Sequence, residues 1–166
     1  MPTLTLDSIP IHYFAAGDAG SPVILLHGGG ADSAALSWSG VIPGLAMTHR
    51  VFAPDYPGYG ESGASQTPDT VDSYVGLIFA FMDALGLARA SLAGISMGGS
   101  IALGCTLRYP QRVDRLVLID SYGLARQAPA QFWSWLFIRM PGINELTWAL
   151  VRRSKAVARW SLGNIF

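Results

Sequence analysis

Threonine and leucine alternate over residues 3–6 and apolar residues dominate 9–15, which predicts two short strands joined by a turn at Asp7-Ser8. Gly17, Asp18, Gly20 and Pro22 punctuate the next turn. The run Val23-Ile24-Leu25-Leu26 has no polar member, as expected of a strand covered on both faces. A helix interrupted by Pro43 is predicted over 34–46, and a strand over 50–54. A polar, Gly- and Pro-rich loop follows to about residue 68. Residues 70–85 place Val71, Tyr74, Val75, Ile78, Phe81, Met82 and Leu85 near helical spacing, with Asp69 or Thr70 to cap the start and Gly86 to end it. A short strand at 90–93, a helix at 97–108 closed by Pro110, and a buried strand at 116–119 complete the pattern. Two further helices are predicted over 128–140 and 143–160, split by Pro141-Gly142.

Strands that alternate with helices build βαβ units, and these imply a mostly parallel sheet flanked by helices, an α/β fold. Composition agrees: 51% of the 166 residues are hydrophobic and 13% charged, which excludes disorder. The length suits about one domain. Residues 1–121 form the expected α/β core, and 122–166 a separate helical segment.

Charge modifies this picture only at its end. Residues 1–120 carry ten acidic and five basic side chains; residues 121–166 carry one acid, Glu145, and six bases, Arg126, Arg139, Arg152, Arg153, Lys155 and Arg159. The two parts are −5 and +5, which fits a solvated helical face or a site that attracts anionic substrates. The bases are too few, and no module is present, for nucleic acid. Cys105 is the single cysteine, so no intramolecular disulfide forms and a reducing, cytoplasmic setting is expected. The opening Met1-Pro2-Thr3 has no signal-peptide character, and the most apolar stretch, Phe132 to Ile138, is far too short to span a membrane. No cofactor or metal is expected.

The candidate chemistry centres on Gly94-Ile95-Ser96-Met97-Gly98. Five letters alone carry little, but here a small apolar strand precedes Ser96 and a helix follows at once. A serine on that sharp turn presents its hydroxyl, and glycines two residues either side remove side chains that would collide. The helix start favours negative charge nearby. Acyl transfer also needs preorganised donors where an oxyanion forms. The Met97 N–H is one candidate. The Gly29 N–H is the other, in the loop His27-Gly28-Gly29-Gly30 directly after strand 23–26. His27 is expected to orient this loop rather than act as a base, with Gly28 and Gly30 supplying backbone freedom. Gly58-Tyr59-Gly60-Glu61-Ser62-Gly63 matches GxGxxG, but Pro57 precedes it and no helix opens behind it, so a dinucleotide site is not expected.

Three linked motifs occur in order: Leu25-Leu26-His27-Gly28-Gly29-Gly30, then Asp55-Tyr56-Pro57-Gly58-Tyr59-Gly60-Glu61-Ser62, then Gly94-Ile95-Ser96-Met97-Gly98-Gly99. With the segment Arg112 to Asp120, they resemble the α/β-hydrolase superfamily. The Gly-rich loop and Ser-Met-Gly-Gly look similar to the meta-cleavage product hydrolases, and simple carboxylesterases share many of these features. The resemblance implies a small-molecule acyl or ketone substrate with an apolar part, cleaved at an ester, thioester or carbon–carbon bond. It also implies that 122–166 begin a helical lid. The family order is Ser, then acid, then His. Here His12, His27 and His49 all precede Ser96, and only Asp120 offers an acid near strand 116–119. The expectation is therefore a chain cut short after the sixth strand and part of the lid, inactive alone. That makes it the N-terminal part of a serine hydrolase; the alternatives are a non-catalytic binding module, or a half-enzyme completed by a partner at the exposed edge of strand 116–119 or in a homo-oligomer.

Overall fold

The computed structural model describes residues 2–64 and 70–124, with separate positions between 140 and 159 beyond them. Two compact units divide the chain, Met1–Leu124 and Ala125–Phe166. In the second unit the described backbone includes helical positions at 146, 149, 150, 153, 155–157 and 159, and Ser154 N–H donates to the Leu150 carbonyl at 3.0 Å. The rest of the helices expected over 128–140 and 143–160, and with them most of the expected lid, lies outside the described residues.

The first unit is a six-stranded sheet. In chain order its elements are β1 (Thr3–Leu6), β2 (Ile9–Ala16), β3 (Pro22–Leu26), α1 (Ala34–Trp38), α2 (Ile42–Leu45), β4 (Arg50–Pro54), α3 (Val71–Ala84), β5 (Ala90–Ile95), α4 (Met97–Arg108) and β6 (Val113–Ile119). Across the sheet the order is β1-β2-β4-β3-β5-β6. The β1–β2 and β2–β4 pairs are antiparallel, and the β4–β3, β3–β5 and β5–β6 pairs are parallel.

Alternation along β3 sorts its side chains to two cores. Val23 and Leu25 pack with Val51, Ala53, Ala34, Trp38 and Ile42 on the α1–α2 face. Ile24 and Leu26 pack with Leu92, Phe81, Met82, Ile101 and Cys105 on the α3–α4 face. Helices thus cover both faces, which explains the unbroken apolar run of β3.

Three expected elements differ in extent. The helix over 34–46 is two short ones, α1 and α2, because Ser39-Gly40 intervene and Pro43 suits only a first turn. Strand β6 begins at Val113, three residues early, because the preceding Pro110–Arg112 turn delivers the chain directly to the sheet. Strand β5 extends to Ile95, one residue short of Ser96. Helix α3 matches its signals closely. Thr70 caps it reciprocally with Ser73, and Gly86 at φ +66° ends it while Leu87 N–H donates to the Met82 carbonyl at 2.9 Å.

The topology locates a switch point. From β3 the chain crosses by α1 and α2 to β4 on one side; from β5 it crosses by α4 to β6 on the other. Because β3 and β5 are neighbours, the loops leaving their carboxyl ends diverge, and α/β sheets bind ligands at such a switch point. The loop at 27–33 and the turn at Ser96 are those two loops. Among the described residues no helix is long and apolar enough to cross a membrane.

Candidate active site

Ser96 joins β5 to α4 with φ +52° and ψ −116°, a conformation an L-residue rarely adopts. The surroundings hold it there. Its N–H donates to the Ile119 carbonyl at 3.0 Å, and its carbonyl accepts the N–H groups of Gly99 at 3.1 Å, Ser100 at 3.3 Å and Tyr122 at 3.0 Å. The side chain makes no capping hydrogen bond to α4, and the residue is exposed. The hydroxyl is therefore carried at the switch point, on an exposed residue whose backbone is fixed from several directions.

The glycines around it are compulsory. A Cβ on Gly94 would stand 2.2 Å from the Gly98 carbonyl oxygen, and one on Gly98 would stand 2.2 Å from that of Leu26. A Cβ on Gly99 would meet Ser121 Oγ at 2.7 Å. The tight turn, the end of β3 and the segment after β6 are pressed together at the start of α4, and only hydrogen fits between them. Met97, the first residue of α4, keeps a backbone N–H with no partner from within the helix.

The loop after β3 lies against this turn. A Cβ on Gly28 would be 3.6 Å from Ser96 Cβ, and one on Gly29 would be 3.3 Å from Met97 Sδ. His27 organises the loop from below. It is fully buried, with Nδ1 2.8 Å from the Gly28 carbonyl and Nε2 accepting the Tyr56 N–H at 3.2 Å. These partners require the tautomer with hydrogen on Nδ1. Burial pushes its pKa below the ordinary value, against weaker opposing effects of the Gly28 carbonyl, Asp32 and Asp55, so the ring stays neutral. Because a peptide is planar and trans, holding the Gly28 carbonyl toward the buried imidazole turns the Gly29 N–H the opposite way. Gly30 takes φ +74° in open space.

Asp120 ends β6 at φ +42°, exposed, directly after the Ile119 carbonyl that holds Ser96. The histidines do not join them. His12 lies in β2 against Asp55, its Nδ1 3.0 Å from Oδ2, and His27 is engaged as described. His49 precedes β4, at the end of the parallel strands opposite to Ser96, beside Thr48 Oγ1 at 2.8 Å.

Two carboxylates that the sequence reading left without a role organise the loops. Asp55, at the carboxyl end of β4, is buried; it accepts the Ala34 N–H at 2.8 Å and the Glu61 N–H at 3.2 Å besides facing His12. Gly60, at φ +51°, packs directly on this carboxylate, and a Cβ there would stand 2.1 Å from Oδ2. The GxGxxG letters thus bring one glycine, Gly60, onto an aspartate and open no helix. Asp32 binds the Gly28 N–H at 2.8 Å. Asp55 directly follows the apolar run of β4, a signal by which it was findable; Asp32, six residues past β3 and just before α1, carried none.

The chain is similar to known proteins. The alpha/beta hydrolase fold family matches residues 21–160. The 2-hydroxymuconate semialdehyde hydrolase of Pseudomonas sp. strain CF600 is 42% identical over 113 residues, 64% of this chain and 38% of that protein. The dihydrolipoyllysine-residue acetyltransferase component of the acetoin cleaving system of Pseudomonas putida is 40% identical over 116 residues, 70% of this chain and 31% of that protein. A solved meta-cleavage product hydrolase from Pseudomonas fluorescens IP01 superimposes with a TM-score of 0.69 at 37% identity, over 74% of this chain and 46% of its own. The chain thus spans less than half the length of each of these proteins. With the family match over most of its own length, a β3–β5 switch point and a serine on the β5–α4 turn, the chain belongs to the alpha/beta hydrolase fold family.

Proposed function

We propose that this chain carries the nucleophile and oxyanion loop of a serine hydrolase that cleaves an ester, thioester or ketone-activated carbon–carbon bond in a small, partly apolar substrate. The observation that carries this reading is the left-handed backbone of Ser96, held across from the Gly28–Gly29 loop. Strain of that kind persists only where the surroundings over-determine it, and it clusters at reactive sites. In this reading Ser96 Oγ attacks the substrate carbonyl, and the N–H groups of Gly29 and Met97 stabilise the oxygen that becomes negative. The hydrolase names of relatives favour the carbon–carbon bond over the ester. Cytoplasmic residence suits a lone, buried cysteine.

A serine needs a base, and every histidine of the chain is placed elsewhere. We therefore assign the base to polypeptide outside these 166 residues. Asp120 is the acid candidate, since it follows the residue that holds Ser96. Strand β6 pairs only with β5 among the described strands, and Val117 and Ile119 on it are exposed, so a strand added along β6 is the proposed route for the missing segment.

The test is active-site labelling by a fluorophosphonate. The isolated chain is expected to label at Ser96, slowly, in keeping with the roughly 10³–10⁴-fold acceleration that remains when a triad member is lost. Ser96→Ala abolishes the label. Equal labelling of Ser96→Ala would sink the nucleophile assignment. Labelling as fast as that of a complete serine hydrolase would sink the assignment of the base to an outside segment. A wild-type chain that never labels would favour a binding module that has lost catalysis.

A further inference from the structure

Asp32 lies just past the oxyanion loop, half-buried before α1. Its Oδ2 accepts the Gly28 N–H at 2.8 Å and the Ser37 hydroxyl at 2.7 Å, while Oδ1 accepts the Ser33 N–H at 2.7 Å. A carboxylate here demands a reason, because negative charge beside a forming oxyanion opposes it. Capping α1 does not supply that reason: Ser33 is the cap, its side chain accepting the Leu36 N–H at 3.3 Å.

The reason lies in the two polar groups of Gly28. Its carbonyl is held by His27 and its N–H by Asp32. With both engaged, a residue of the widest backbone freedom has one conformation left. The planes on either side of Gly28 are then fixed before any substrate arrives. The Gly28 N–H is also removed as a donor, so the next amide, that of Gly29, is the one left to meet an incoming oxygen.

We infer that Asp32 is a positioning residue for the oxyanion loop: it locks the Gly28 amide so that the Gly29 N–H faces Ser96. This rests on the reading of Ser96 as nucleophile. Asp32 touches no reacting atom, and its contribution is preorganisation. Such donors act because they need no reorganisation at the moment of reaction.

The test uses the 166-residue chain and two independent readouts. In ¹⁵N-resolved NMR, the Gly28 amide is expected to shift with the ionisation of Asp32 while the Gly29 amide does not, and Asp32→Ala abolishes the Gly28 response. In fluorophosphonate kinetics, Asp32→Ala is expected to lower the maximal rate of Ser96 labelling about 10-fold, short of the 10²–10³ for losing a donor outright. Probe concentration at half-saturation should stay near wild type, while the thermal midpoint falls by a few degrees, because the Gly28 and Ser33 N–H groups and the Ser37 hydroxyl lose their acceptor. Asp32→Asn, whose carbonyl oxygen can still accept the Gly28 N–H, should recover most of the rate. Unchanged labelling in Asp32→Ala overturns the inference, as does a lowered rate that asparagine fails to recover although it restores the thermal midpoint. A wild-type chain that shows the Gly28 response yet never labels overturns the nucleophile reading and the catalytic purpose of Asp32 with it; a chain that labels without the Gly28 response overturns Asp32 alone.

Discussion

His27 Nε2 accepts the backbone N–H of Tyr56 at 3.2 Å, and this bond ties the loop after β3 to the loop after β4. Only the unprotonated nitrogen can accept. Protonation converts Nε2 to a donor and points it at another donor. Burial holds the folded-state pKa of His27 below its ordinary 6.5. The unfolded chain therefore takes up a proton at a pH where the folded chain resists it. Stability is fully expressed above about pH 6.5 and falls as pH drops below that, by at most ~1.4 kcal/mol per pH unit, until the folded pKa is passed. Urea unfolding of wild type and His27→Gln between pH 7.5 and about 5 checks the sign. The variant should be less stable at neutral pH and should lack this component of the slope. A wild-type stability that rises on acidification over this range would contradict the neutral, accepting imidazole.

Glycine-to-alanine changes should have opposite signs at two places. At Gly98 the added Cβ meets backbone, the Leu26 oxygen at 2.2 Å and the His27 oxygen at 2.5 Å, which no rotamer change can relieve. Gly98→Ala should cost about 3 kcal/mol or more, at or beyond the usual upper range for overpacking. Gly76 lies inside α3, exposed, with nothing within 4 Å of the added atom. Gly76→Ala should stabilise by about 0.5–1 kcal/mol through lower unfolded-state entropy and better helix propensity. Thermal unfolding of both variants decides it, and a stable Gly98→Ala would mean that α4 does not press on the end of β3 as described.

Legibility in the sequence followed the range of the forces involved. The elements that local patterning controls were readable: α3 has its cap, its apolar spacing and its terminal glycine in one contiguous stretch, and β3 declares itself by four apolar residues. Ser96 was readable because its turn needs glycines at fixed offsets. The functions of Asp55, His12 and Asp32 were not. Asp55 meets His12 from 43 positions away and the Ala34 N–H from 21, so their meeting depends on β2, β4 and the start of α1 converging. The early start of β6 was hidden because Asp114 and Arg115 look polar in sequence, yet they sit in a strand, with Asp114 2.6 Å from Arg89.

That long-range cluster sets its own expectation. The Asp55 carboxylate is buried, faces His12 Nδ1 at 3.0 Å and accepts two backbone N–H groups. Asp55→Ala leaves those donors and the imidazole without their acceptor, and should destabilise by about 3–5 kcal/mol, as for breaking a buried pair. His12→Ala should cost less, because the carboxylate keeps its backbone partners. The two share one contact, so the double variant should be less damaging than the sum of the singles, by roughly 0.5–3 kcal/mol. Denaturant unfolding of the four proteins completes the cycle. Strict additivity would mean that the His12–Asp55 contact contributes no coupling.

The backbone of Ser96 makes the site's demand on the fold measurable. At φ +52° and ψ −116° a residue with a Cβ is strained, whereas glycine occupies such a conformation readily. Strain of this class costs of order 1–3 kcal/mol. Ser96→Ala keeps the Cβ and therefore the strain, so its stability should stay close to wild type. Ser96→Gly removes the strain but gains about 0.5–1 kcal/mol of unfolded-state freedom to lose, which offsets part of the benefit. The net expectation is that Ser96→Gly exceeds Ser96→Ala in stability by about 1 kcal/mol while neither labels with a fluorophosphonate. A pair of variants equal in stability would show that the turn is relaxed, and that the geometry around Ser96 gives no sign of a residue retained for its hydroxyl against the preference of the fold.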